Sequence, residues 1–181
     1  MSDELEGKIW DIRGRCPRCG SDYIISEYMY EVPLVGKAIL SSGECRSCGY
    51  KYRDVRMAES QGPQRLTLYV EDTDDLNSLV VRASTASIYI PELGVSIEPG
   101  PASRGYISTV EGILDRVLRV MMALKDDEEV DMERWEYVKR MVESAKRGES
   151  TFTLIIDDPE GVSRIISDKA TKDRLYYQDD V

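Results

Sequence analysis

Four cysteines are the residues of this chain whose type and spacing can do chemistry. They fall in two pairs, Cys16-Pro17-Arg18-Cys19-Gly20 and Cys45-Arg46-Ser47-Cys48-Gly49. Two residues between cysteines let a tight turn aim both sulfurs at one centre. Two such knuckles supply the four thiolates that tetrahedral zinc prefers. The glycine after each pair gives the backbone room to fold over the sulfurs, and the 25 residues between the pairs suffice for a β-hairpin that brings them together. Cys16, Cys19, Cys45 and Cys48 are therefore read as ligands of one structural Zn(2+) per chain. Four protein ligands leave no open coordination position, so the metal is not catalytic. Two disulfides, a redox Cys-x-x-Cys and a rubredoxin-like iron site use the same residues. Disulfides fit a cytoplasmic chain poorly, and a doubled pair in a ribbon arrangement fits metal better than redox work.

The chain has no histidine. This removes the usual near-neutral base and the imidazole ligand, and it excludes a Ser-His-Asp or Cys-His site within the chain. No catalytic residues are expected, and the protein is read as a non-enzyme. The net charge of −10 is uneven: residues 1–60 hold 9 basic and 10 acidic side chains, residues 61–181 hold 15 and 24. An anionic surface repels phosphate backbones, so nucleic-acid binding by the whole chain is disfavoured and a partner with a basic surface is favoured. No run approaches the apolar length that spans a bilayer, and the acidic start Met1–Glu6 lacks the apolar centre of a secretory signal. A cytoplasmic location is expected.

The elements that must position these groups follow from pattern. Residues 1–12 read as a polar lead-in. The cysteine pairs flank a strand-like stretch, residues 22–32, with returns at 37–42 and 50–55, rich in β-branched and aromatic residues. Residues 58–64 contain Gly62-Pro63 among small polar residues, which is linker chemistry. The boundary is placed there, giving a finger over 1–60 and a second domain over 61–181. That domain shows strand candidates at 65–70, 78–81, 87–90 and 94–97, with an acidic turn at 72–75. Many short strands separated by Gly and Pro predict a sandwich or barrel-like β-fold. Ser108-Thr109-Val110-Glu111 fits a capping box. Apolar residues from Val110 to Met122 and from Met132 to Ala145 then recur at three and four residues. This predicts a helical hairpin over about 109–147, with Asp131 capping its second helix and Gly148 stopping it. Met121, Met122, Met132 and Met141 could pack within it or form an adaptable surface. Strands resume at 151–156 and 162–167, and the last fifteen residues read as a polar tail.

Exposed contacts are less determined. Residues 13–56 carry eight basic against five acidic side chains, interleaved with five tyrosines. Such a surface can bind protein, bind nucleic acid, or simply pack a small hairpin. Arg18, Tyr50 and Arg53 are the candidate partner contacts here. Asp157 and Asp158, before Pro159-Glu160-Gly161, are either turn formers or contacts to a basic partner.

At this point the chain resembles the ZPR-type (ZPR-one) zinc-finger family, in its single-module archaeal-like form. The resemblance is carried, in order, by Cys16 to Ser21, Glu44 to Tyr50, Asp75 to Ser84, Ala86 to Glu92, Ile97 to Gly100, Gly105 to Leu114 and Phe152 to Gly161. The Thr109-Val110-Glu111-Gly112 and Asp157-Asp158-Pro159-Glu160-Gly161 segments are its most specific parts. Val162-Ser163 departs from the small polar pair that the family tends to have there. The resemblance implies a four-cysteine zinc ribbon followed by a double-stranded β-helix, a jelly-roll-like barrel with a helical hairpin. It also implies a binding role, with translation elongation factor one-alpha as the client that the protein helps to fold or recycle. The rival reading is a nucleic-acid-associated zinc ribbon of transcription or translation, motivated by the cationic finger.

Overall fold

The computed structural model describes residues 7–127 and 129–175. Over these residues the protein is mainly β, with three sheets. The finger is a four-stranded antiparallel meander of β1 (Gly7–Arg15), β2 (Asp22–Val32), β3 (Gly36–Glu44) and β4 (Lys51–Met57). The cysteine knuckles close its β1–β2 and β3–β4 turns. β1 corrects the reading of residues 7–12 as lead-in: its residues are nearly all exposed and are held as an edge by pairing with β2. Residues 1–6 lie outside the described residues.

The second region is a jelly-roll. Its five-stranded sheet has the order β12 (Thr171–Arg174), β5 (Gln64–Val70), β10 (Phe152–Asp158), β7 (Ser87–Ile90), β8 (Val95–Ile97). Its three-stranded sheet has the order β11 (Arg164–Ile166), β6 (Leu79–Arg82), β9 (Tyr106–Thr109). Strict alternation drives this packing. Leu66, Leu68 and Val70 of β5 and Phe152, Leu154 and Ile156 of β10 all point inward, as period-two patterning requires. They share one core with Val80, Val81, Ile88 and Ile90 and with the buried stripe of α2.

The helical hairpin is α2 (Val110–Leu124) and α3 (Met132–Lys146), inserted between β9 and β10. Its first helix starts one residue later than the capping-box reading. The Thr109 hydroxyl accepts the Gly112 N–H at 3.0 Å, while Ser108 belongs to β9 and pairs with Val80. Asp131 caps α3, and Gly148, at φ 69°, ends it. Met121 and Met141 pack on the core, whereas Met122 and Met132 are exposed. The acidic stretch expected to be a turn is the one-turn helix α1 (Thr73–Leu76), capped by Asp72. The polar tail is structured over Thr171–Arg174 as β12; residues 176–181 lie outside the described residues.

Finger and jelly-roll touch through β4. The Asp54 carboxylate accepts the Gly105 N–H, and a Cβ built on Gly105 would lie 1.9 Å from the Val55 carbonyl oxygen. Only glycine permits that approach.

Candidate metal centre

Each knuckle is built by the same two backbone hydrogen bonds. Gly20 N–H donates to the Cys16 carbonyl and Cys16 N–H to the Ser21 carbonyl; Gly49 to Cys45 and Cys45 to Tyr50 repeat the pattern, all at 2.8 Å. Gly20 and Gly49 take φ of 73° and 70°, a left-handed conformation that side chains resist. This turns the chain so that both sulfurs of a pair face inward.

The four sulfurs lie within 4.8 Å of one another. Cys16 is 3.7 Å from Cys48 and Cys19 is 3.6 Å from Cys45, so the knuckles interlock crosswise. A tetrahedron with metal–sulfur bonds of about 2.3 Å has sulfur–sulfur edges of about 3.8 Å. A disulfide would require about 2.05 Å. The cluster thus has the dimensions of a four-thiolate metal centre. Cys16 and Cys45 are buried, Cys48 is half-buried and Cys19 is exposed.

The electrostatics point the same way. Hydrogen bonds from the backbone and hydroxyl of Ser21 pull the Cys19 thiol down to about 6. The Tyr50 backbone N–H favours the Cys48 thiolate, but burial and the neighbouring sulfurs outweigh it and push that thiol up to about 12. The Cys19 thiolate is favoured, while that of Cys48 is opposed by the sulfurs around it. A divalent cation removes that repulsion. An all-sulfur, closed donor set suits zinc.

The core beneath is small: Tyr23 with Cys16 and Cys45, flanked by Ile25, Tyr50 and Tyr52. Tyr23 meets Tyr50 edge-on at 6.1 Å between centroids. Arg104, from the loop between β8 and β9, reaches across from the jelly-roll. It donates to the Tyr50 hydroxyl at 2.8 Å and to the Lys51 carbonyl at 2.9 Å, and lies over the rings of Tyr50 and Tyr52.

The structure separates the other candidates. Arg18 is exposed at a knuckle tip and Arg53 is exposed on β4. Tyr50 is committed inward, to Tyr23 and Arg104. Asp157 is held by a bidentate pair with Arg65 at 2.6 Å, across the β5–β10 ladder. Asp158 is 0% exposed, which places it out of a partner's reach in this fold. It accepts the N–H groups of Ser163 and Glu160, and with Gln64 and Ser163 it forms a buried polar plug at the end of the core. The turn reading of Asp158 is the one its surroundings support. The role of Arg104 carries no local signal: it sits in a Pro-Gly-Pro loop, and its partners are some fifty residues earlier in the chain.

The arrangement is that of a zinc ribbon joined to a jelly-roll, a class whose metal is structural. Family models agree: a ZPR1 zinc-finger domain matches residues 8–62 and a ZPR1 jelly-roll domain matches residues 74–179. The chain is 35% identical to an uncharacterized ZPR1-like protein of Pyrococcus horikoshii, over 97% of this chain and 82% of that one. It is 29% identical to the zinc finger chaperone zpr1 of Schizosaccharomyces pombe and 30% identical to the human zinc finger protein ZPR1. Those matches cover 91% and 90% of this chain but only 37% and 36% of theirs. The chain belongs to the ZPR1 zinc-finger family, as its resemblance had implied, and its four cysteines are positioned to bind one structural zinc ion.

Proposed function

We propose that this chain is a client-binding chaperone of the cytoplasm, that Cys16, Cys19, Cys45 and Cys48 ligate its zinc, and that its client is translation elongation factor one-alpha. The fission-yeast relative bears the name of a chaperone, and the resemblance read in the sequence names the client. The division into a finger and a jelly-roll at residues 58–64 is part of the same reading. A closed four-thiolate centre offers no position for a substrate, so the protein acts by binding rather than by catalysis.

The observation that carries the proposal is the outer edge of the finger. There β1 leaves one side of its backbone unpaired among the described residues, and Trp10 and Ile12 are 54% and 46% exposed, with Ile24 of β2 at 49%. Arg13 and Arg15 lie between and beside them and are exposed as well. By the β1–β2 register Trp10 and Ile12 lie on one face of the sheet and Ile24, Arg13 and Arg15 on the other, so the open strand itself, flanked by apolar and basic side chains, is suited to docking by strand addition. The opposite sign of charge on the jelly-roll surface suits a nucleic-acid-binding GTPase with basic faces.

A pull-down with purified elongation factor one-alpha in GDP-bound, GTP-bound and nucleotide-free forms tests this. Retention that depends on nucleotide state and disappears on zinc chelation is expected. No retention in any state, with ribosomal or promoter nucleic acid recovered instead, overturns the reading. The rival, a nucleic-acid-associated ribbon, is favoured only by the excess of basic residues in the finger, and a steep salt dependence of RNA or DNA affinity would support it.

A further inference from the structure

On the jelly-roll side of the molecule, α2, α3 and the β8–β9 segment enclose a cleft of about 1190 Å³. Its charge runs against that of the chain. Five arginines line it: Arg53, Arg82, Arg104, Arg116 and Arg134. Among the described residues none of the five makes an ion pair, although Arg15, Arg56, Arg65 and Arg147 elsewhere do. The cleft also holds Glu98, Glu129 and Asp131. Asp131 is occupied in capping α3, and Glu98 and Glu129 are exposed.

Arg82 sets the charge of the inner wall. It is 3% exposed. Its terminal nitrogens donate to the Ser103 hydroxyl at 2.9 Å and to the carbonyls of Ala86 and Arg104, and its Nε has no partner among the described residues. Its guanidinium lies 5.7 Å from the Tyr106 ring centroid, and that of Arg116 lies 4.0 Å from the same centroid. Two like charges thus share one ring, and the carboxylates that act on Arg82, Asp158 and Asp54, do so from a distance, without a direct bond to it. A buried cation is ordinarily paired. Arg82 has only neutral hydrogen-bond partners, so the inner wall stays positive, and the exposed Arg116 and Arg134 stand where an anion from outside can reach them.

The rest of the wall states what kind. Val95, Ile97, Val117, Val120, Val138 and Trp135 face the same space. Trp135 is fixed by its own indole N–H, which donates to the Met121 carbonyl at 2.8 Å. A small inorganic anion has no use for that apolar wall. A nucleic acid strand would meet the arginines with its phosphates but brings no aliphatic side chains for the apolar half of the lining. A segment that alternates carboxylates with apolar side chains satisfies both halves of the lining, with bidentate guanidinium–carboxylate pairs on one side and apolar burial on the other.

We infer that this cleft is a docking groove for an acidic, apolar-interleaved peptide segment of a protein client. The inference rests on the client-binding reading above. Together with the exposed finger edge it gives the molecule two docking surfaces of different chemistry, linked by Arg53, which belongs to the finger and lines the cleft.

The test uses the full zinc-loaded chain and a fluorescein-labelled peptide alternating glutamate with leucine and phenylalanine, read by anisotropy. Binding is expected, with loss of about tenfold or more in affinity for the Arg116→Glu and Arg134→Glu variants. A matched peptide with glutamine for every glutamate should bind no better than those variants. Both substitutions are on exposed helix positions, so folding is preserved; Arg82→Met is a second variant, with circular dichroism confirming its fold. In a Trp10→Phe background the emission of Trp135 should shift on peptide addition. No binding, or binding unchanged by the substitutions, overturns the inference. So does displacement of the peptide by inorganic pyrophosphate at equal concentration, or tighter binding of a single-stranded RNA oligonucleotide. The two readings fail separately. Elongation factor retained equally by wild type and by Arg116→Glu/Arg134→Glu sinks the groove and leaves the client. Peptide binding without retention of the elongation factor sinks the client and leaves the groove.

Discussion

The finger and the jelly-roll are both antiparallel β-structures, yet they are held together by different forces. The jelly-roll has a continuous apolar core, with Leu68, Ile88, Phe152, Leu154 and Ile156 at 0% exposure. The cluster beneath the finger's knuckles is Tyr23 and two cysteines, and of its other buried apolar residues Val35 and Met57 belong to the jelly-roll's core rather than to one of its own. Its sheet leaves Trp10, Ile12, Ile24 and Leu34 largely in water. A region of that size cannot bury enough apolar surface to offset the entropy of ordering its chain, and a structural metal replaces the missing core. The difference explains how the finger can keep apolar side chains exposed: its stability does not depend on burying them.

The largest expected effect follows from that contrast. Cys16→Ser or Cys45→Ser, or removal of zinc by a chelator, should unfold the finger, since structural zinc supplies on the order of 10 kcal/mol to small ribbons. Metal analysis should give one zinc per wild-type chain, and circular dichroism should show loss of part, not all, of the β signal. Elemental analysis that finds no stoichiometric metal in fresh protein would refute the first statement.

Next come the places where packing leaves no alternative. Gly105→Ala forces a Cβ into the Val55 carbonyl and should cost more than about 2 kcal/mol. It breaks the comparison usefully, because it strains the junction and neither region's interior. Asp158→Ala strands the buried Ser163 N–H and removes the acceptor of the half-buried Glu160 N–H, and should cost about 1–3 kcal/mol in chemical denaturation. A variant that loses less than 1 kcal/mol, on the scale of surface changes, would mean that water enters the plug.

Acid should act on the jelly-roll through Asp75. Burial alone would raise its pKa, but hydrogen bonds from Lys169 at 2.8 Å and from the Glu71 N–H at 2.9 Å outweigh burial and hold it below the ordinary value. A carboxylate with a depressed folded pKa contributes stability that is present above its unfolded value of about 3.9 and is lost as pH falls through the lower folded value. Asp75→Asn should therefore be less stable at neutral pH and should lose less stability than wild type on acidification below about pH 4. The smallest effect is expected at Arg65→Ala, where a half-exposed ion pair to Asp157 is worth under about 1 kcal/mol.

The parts legible in the sequence were those governed by local pattern. The cysteine spacing, the period-two alternation of β5 and β10 and the helical period of α2 and α3 each announce an element whose reason lies within the element. What the sequence concealed is non-local. β12 is Thr171-Lys172-Asp173-Arg174, wholly exposed and without alternation, and it is a strand only because β5 offers it an edge. β1 is a similar case. The inward turn of Asp158 depends on Ser163 and Gln64, and the arginine cleft gathers residues from β4, β6, the β8–β9 loop, α2 and α3. No periodicity within a short window can show that five scattered arginines share one space. The family resemblance supplied the jelly-roll, where the strand pattern alone had reached only a sandwich or barrel-like β-fold.

Amide hydrogen exchange of the full chain, with and without a zinc chelator, tests the central contrast most directly. The account predicts that chelation abolishes protection across β1 to β4 while β5 to β11 and the helices keep theirs. Protection lost together in both regions, or kept in both, would contradict it.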